Sequence, residues 1–211
     1  MIRNLRSEVI KYAKLLNTKK LSALRSGNIS ARYKDGFLIT PSGAKYSSLK
    51  NKDVVFVSLK GEFDKKKGIP SSEWRFHQDI YLNKLNAKAI VHAHSNYATA
   101  ISAHAKGIPA FHYMVAMAGG NDIKCAKYAT YGTRELSKNI LKALIERNAC
   151  LIGNHGQIAF SENLSKAFEL AEEVENLSNQ YINALKIGKP KILSSKEMSK
   201  VLSKAKNYKK G

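Results

Sequence analysis

Apolar positions recur at helical and strand spacing along the chain and predict its elements in order. Leu5, Val9, Ala13 and Leu16 lie three or four residues apart, the pattern of an amphipathic helix over about 3–19. The small, polar run from Ser26 to Tyr33 marks a change from helix to strand. Asp35-Gly36, between 29–33 and 37–40, is a two-residue hairpin signal. Pro41-Ser42-Gly43 predicts a turn, 54–57 a buried strand, and Lys60-Gly61-Glu62 another turn before an exposed lysine-rich loop. Pro70-Ser71-Ser72-Glu73-Trp74 opens a helix with a serine cap and an acid in the first turn. Trp74, Phe76, Ile80, Tyr81 and Leu85 are expected to face inward.

Ala89-Ile90-Val91 is an apolar strand running directly into His92-Ala93-His94, with a short helix expected over 96–105. Residues 107–113 read as extended, and Gly119-Gly120 punctuates the stretch beyond them. Thr133 caps a helix carrying Leu136, Ile140, Leu144 and Ile145 to about Asn148. Strands at 150–152 and 158–160 flank a turn holding His155, and the longest helix spans 164–187. Ser194 and Glu197 form a capping box for a last helix. Central strands with helices toward both ends predict α/β (α+β) layering in one domain covering 1–211.

Composition narrows the picture. No apolar run nears the roughly 18 residues of a membrane helix, and the first residues open an amphipathic helix with no signal core, so a cytoplasmic protein away from membranes is expected. Cys125 and Cys150 fall in no metal or redox spacing. The formal charge of +20, from 36 basic and 16 acidic residues, raises nucleic-acid binding. The lysines are spread along the chain, however, without a recognition helix, stacking aromatics or basic tail. They read as an ordinary solvated surface, and no nucleic-acid partner is expected. A positive field would still help to attract a phosphorylated substrate.

The candidate chemistry lies at His92 and His94. Side chains alternate along a strand, so both imidazoles point the same way. His155 lies in a similar strand-end context, and Glu73 could add a carboxylate. Three imidazoles with one exchangeable position describe a catalytic zinc site better than a structural one, which normally closes with cysteines. Glu73 with His77, one helical turn on, is a rival ligand pair, although His77 reads better as a packed helix residue. His104 and His112 read as structural. Ser26-Gly27-Asn28, Thr40-Pro41-Ser42-Gly43 and Ser71-Ser72 could each cradle an anion, because hydroxyls, an amide and turn N–H groups are phosphate donors.

Taken together, Gly27-Asn28-Ile29-Ser30, Ile39-Thr40-Pro41-Ser42-Gly43, Pro70-Ser71-Ser72-Glu73-Trp74-Arg75-Phe76-His77, the His92/His94 pair and Asn154-His155-Gly156 resemble the class II aldolase/adducin family. The likeness continues through 108–113 and 128–136 and covers nearly the whole chain. It implies a central, mainly antiparallel sheet flanked by helices, and a homotetramer with active sites at subunit interfaces. It also implies one Zn2+ per subunit on His92, His94 and His155, with Glu73 as resting ligand and then acid/base. Gly27, Asn28, Ser42, Gly43, Ser71 and Ser72 would hold the substrate phosphate, and Tyr113 would serve a neighbouring subunit's site. The implied reaction is cleavage of a ketose 1-phosphate, L-fuculose 1-phosphate first, to dihydroxyacetone phosphate and L-lactaldehyde through a metal-stabilised enediolate. Other deoxyketose 1-phosphates, pentulose-phosphate 4-epimerisation and methylthioribulose-phosphate dehydration are the alternatives; Glu73, where the epimerases carry Asp, favours an aldolase. Tyr131 stands where Phe is expected beside the aldehyde, Ser42 where Thr is common, and Tyr208 could match a tail tyrosine closing the pocket.

Overall fold

The computed structural model describes residues 2–208, with side chains through 205. Its elements are α1 (Ile2–Thr18), β1 (Asn28–Tyr33), β2 (Gly36–Ile39), β3 (Val55–Ser58), α2 (Trp74–Asn83), β4 (Ala89–Ala93), α3 (Asn96–Ser102) and β5 (Ile108–Pro109), followed by a 3-10 helix at Tyr113–Ala118. Then come β6 (Asp122–Ile123), β7 (Cys125–Ala126), α4 (Arg134–Ala143), β8 (Ala149–Ile152), β9 (Gly156–Ser161), α5 (Leu164–Ile187) and α6 (Ser195–Tyr208).

Seven strands make one sheet in the order β3-β2-β1-β4-β9-β8-β7, antiparallel except for β7 with β8. Alternation along each strand divides the core in two. Val91 and Ala93 of β4 join Ile29, Ala159 and the buried faces of α1, α3 and α5 on one side. Ile90 joins Phe37, Ile158 and the apolar stripes of α2 and α4 on the other. A central strand covered on both faces reads as a continuous apolar run, which is how Ala89-Ile90-Val91 appears in the sequence. No helix of the described residues is long and apolar enough to cross a membrane.

Several local expectations are corrected. The hairpin turn is Lys34-Asp35, with Lys34 at φ 50°, and Gly36 already pairs with Tyr33 inside β2. Glycine at 36 serves packing: a Cβ there would lie 2.2 Å from the Val57 carbonyl oxygen of β3. Helix α2 has no serine cap. Glu73 is the N-cap residue and makes no side-chain cap bond, while the Ser71 carbonyl accepts from Trp74 N–H at 3.0 Å. Leu85 and Ile145 do not pack inward; they are 85% and 57% exposed because α2 and α4 end before them. Only half of the last capping box forms, since Glu197 N–H donates to Ser194 Oγ while the Glu197 carboxylate pairs with Lys200.

Candidate metal centre and its cleft

Strand pairing builds the site at one end of β4. His92 lies opposite Asn28 of β1 on one side and Ile158 of β9 on the other. His155 sits in the β8–β9 turn, which presses close to β4 because a Cβ on Gly156 would be 2.3 Å from the Ala93 carbonyl oxygen. The start of α2 brings Glu73 over both. The rings of His92, His94 and His155 have centroids 4.7–4.8 Å apart, each steeply inclined to the others. Glu73 Oε2 is 3.2 Å from His92 Nε2, and its Oε1 is 3.2 Å from His155 Nε2. One donor atom from each of the four residues falls within a 4.8 Å group.

The protonation pattern suits a cation. His92 Nδ1–H donates to the Gln157 carbonyl at 2.8 Å, which orients the ring so that Nε2 faces Glu73 and His94. Glu73 Oε1 is buried and accepts no hydrogen bond. Burial alone would raise the Glu73 carboxyl, but His92 and His155 outweigh it and hold the group well below the usual carboxylate range. Burial, then the like-charge neighbours His92 and His155, lowers His94 to about 3, so it is unprotonated at neutral pH. Four potential donor atoms therefore converge with little to separate them. Tetrahedral bonds of about 2.1 Å place ligand atoms about 3.4 Å apart, close to the separations seen. The donor set fits a divalent metal.

Above these groups opens a cleft of about 370 Å3, with Glu73, His94 and His155 at its floor. All six residues of the expected anion cradle line it: Gly27, Asn28, Ser42, Gly43, Ser71 and Ser72. Backbone pairing brings them together, because Ser42 N–H donates to Ile69 O and Ser71 N–H to Thr40 O, each at 3.0 Å. Arg25 donates to the Gly43 carbonyl at 3.0 Å, and the Tyr46 hydroxyl to the Gly27 carbonyl. Gly27 has φ +76°, and a Cβ there would meet both the His92 carbonyl and Ser22 Oγ at 2.6 Å. Gly27→Ala should therefore cost about 2 kcal/mol or more; urea unfolding measures it, and an unchanged midpoint would refute the packing argument.

Other candidate residues divide between the cleft and the rest of the molecule. Tyr131 lies at the cleft mouth, 64% exposed. Tyr113 is 53% exposed on its 3-10 helix and does not line this cleft. The Tyr208 side chain lies outside the described residues. His77 is no member of the donor group; it is fully buried and bonded to Ser30 and Asn28. His112 caps the 3-10 helix by accepting from Met114 N–H. Arg25, Ser26, Tyr46, Tyr128 and Asn154 also line the cleft. Ser26 belongs to the Ser26-Gly27-Asn28 segment read from the sequence as an anion cradle, and Arg25 adjoins it; Tyr128 and Asn154 fall in stretches that carry the family likeness, whereas Tyr46 has no local signal.

Burial, then the nearby His92, lowers His77 to about 3. Between its folded value and the usual 6.5 the unfolded chain binds the proton and the folded chain does not, so stability falls as pH drops through that window. The limiting slope is about 1.4 kcal/mol per pH unit. Thermal midpoints measured from pH 7 to 4 should fall less steeply in His77→Gln, and identical slopes would contradict this assignment.

A family model described as the class II aldolase and adducin N-terminal domain matches residues 7–182. A 5-methylthioribulose-1-phosphate/5-deoxyribulose-1-phosphate aldolase of Rhodospirillum rubrum is 47% identical over 204 residues, 97% of this chain and 92% of its own. An L-fuculose phosphate aldolase of Escherichia coli is 48% identical over 184 residues, 87% of this chain and 85% of its own. Among solved structures, an L-fuculose 1-phosphate aldolase matches with a TM-score of 0.93 and 39% identity over 96% of each chain. The chain belongs to the class II aldolase/adducin family, on its enzymatic, aldolase side.

Proposed function

We propose that this aldolase cleaves a deoxyketose 1-phosphate reversibly to dihydroxyacetone phosphate and a short aldehyde, using one Zn2+ per subunit on His92, His94, His155 and Glu73. The observation that carries this reading is a single cleft with three members of the four-donor cluster, Glu73, His94 and His155, at its floor and an anion cradle on its wall. Gly27, Asn28, Ser42, Gly43, Ser71 and Ser72 hold the phosphate and so fix C1 of the substrate relative to the floor. The net charge of +20 favours approach of such an anion.

When bound, the metal polarises the ketose carbonyl and accommodates the charge released as C3–C4 breaks. Glu73, a ligand at rest, carries the proton that C3 gains. Tyr113 takes the proton of the C4 hydroxyl as the aldehyde forms, and returns it in the synthetic direction. Its exposure away from its own cleft supports service in a neighbouring subunit, within a homotetramer. No lysine lines the cleft among the described residues, so no Schiff-base partner competes with this route.

L-Fuculose 1-phosphate, releasing L-lactaldehyde past Tyr131, is the first candidate substrate, supported by the Escherichia coli relative. The Rhodospirillum rubrum relative, matched over 97% of this chain, favours a second: 5-deoxyribulose 1-phosphate or its methylthio analogue. The test is cleavage of each ketose phosphate by metal-loaded enzyme, following released dihydroxyacetone phosphate beside a chelated control. Chelator-sensitive release supports the reading. Conversion of a pentulose phosphate without aldehyde release would replace it with epimerisation or dehydration.

A further inference from the structure

Behind the cleft runs a buried chain of side chains that ends on Glu73. The Asn28 carboxamide donates through Nδ2 to Glu73 Oε2 at 3.0 Å and to Ser71 Oγ at 3.1 Å. Its Oδ1 faces His77 Nε2. His77 Nδ1 is 2.7 Å from Ser30 Oγ, which in turn is 2.8 Å from the Tyr81 hydroxyl. Each of these residues is buried, His77 and Ser30 completely. The His77 ring lies nearly parallel to that of Phe76, 4.9 Å away, and to that of Phe37.

Only one hydrogen-bond direction satisfies every member. A charged carboxylate accepts only, so the Asn28 amide must turn its NH2 toward Glu73 and its oxygen toward His77. His77 is then a donor at Nε2. Kept neutral by burial, it must accept at Nδ1 from the Ser30 hydroxyl, whose oxygen accepts from Tyr81. Reversing any link sets two lone pairs or two protons against each other inside a dry core, where an unmet polar group is costly.

We propose that His77 is a positioning residue. Held in one tautomer by Ser30 and Tyr81, it locks the Asn28 carboxamide so that one NH2 group joins the acid/base to the phosphate cradle. The functional part rests on the proposed roles of Glu73 and Asn28 in aldol cleavage. The expected result is asymmetric between isosteres. His77→Gln can place an amide N–H near the former Nε2 and keep Asn28 oriented. His77→Asn is too short to reach it.

The experiment measures kcat and KM for ketose phosphate cleavage, inorganic phosphate affinity by calorimetry, and the exchange-protected Asn28 NH2 signals in 15N spectra, all on metal-loaded enzyme. His77→Asn should lower kcat about 10–100-fold, as loss of an outer support does. It should also weaken phosphate binding and lose the protected signals. His77→Gln should recover kcat to within about threefold of the parent, with the signals retained. Ser30→Ala, nearly isosteric and expected to fold should His77→Asn fail to, should lower kcat by about fivefold, the scale of one lost hydrogen bond. Equal impairment of His77→Gln and His77→Asn, or protected Asn28 signals in His77→Asn, would overturn the proposal. If the parent enzyme cleaves none of the substrates, the proposed activity fails, and the Asn28 signals still decide the positioning role.

Discussion

Glu73→Gln is expected to lower cleavage by about 10²–10⁴-fold, the range of a lost general acid/base, while the protein stays folded and metal-loaded. The variant removes little volume, and glutamine keeps an oxygen where Oε2 now meets the Asn28 amide. It cannot carry a proton to C3. The surroundings show why the carboxylate has no substitute nearby: His92 is tied at Nδ1 to the Gln157 carbonyl, and the Nε2 atoms of His92 and His155 face Glu73 itself. Exchange of the C3 proton of dihydroxyacetone phosphate with solvent deuterium isolates this step from carbon–carbon bond cleavage, and should be lost in parallel. Rapid exchange in a metal-loaded Glu73→Gln would assign the proton transfer to another group.

Much of this site is legible in the chain because its signals are local. His92 and His94 follow an apolar strand, and period-two alternation alone puts them on one face. The three anion segments stand out because turns with glycine and hydroxyls are compact in sequence. Their convergence is another matter. It depends on β1 and β9 flanking β4 and on the Pro41–Pro70 bridge, long-range pairings that no local pattern specifies. The Glu73 N-cap escapes a local reading for a related reason: Pro-Ser-Ser-Glu has the composition of a serine cap, but the carboxylate is drawn across to histidines contributed from residues 92 and 155. Gly36 suggests a turn residue, yet glycine there answers to the approach of β3, a tertiary demand. His77 can be set aside as a ligand from sequence, but its link to Asn28 spans 49 residues and arises only when β1 and α2 are packed together.

Loss of His94 should remove the metal and, with it, cleavage. His94 is the better probe of the centre than His92, because His92 is completely buried and its removal would also open a cavity beside Phe76. Free energies of about 10–16 kcal/mol for a four-ligand zinc site suggest about 2.5–4 kcal/mol for each ligand, or about 10²–10³-fold in affinity. Binding to the folded state alone stabilises a protein by about 4 kcal/mol at a metal concentration about 1,000 times Kd. The parent protein should therefore gain thermal stability on adding zinc, and His94→Ala should gain almost none at the same free zinc. Metal-free parent and variant should unfold at similar temperatures, since the half-buried His94 ring contributes little packing of its own. Titration calorimetry with zinc, beside the thermal scans, separates weaker binding from a weaker fold. Equal stabilisation of both proteins would place the metal elsewhere, and would overturn the assignment of Glu73, His92, His94 and His155 as its ligands.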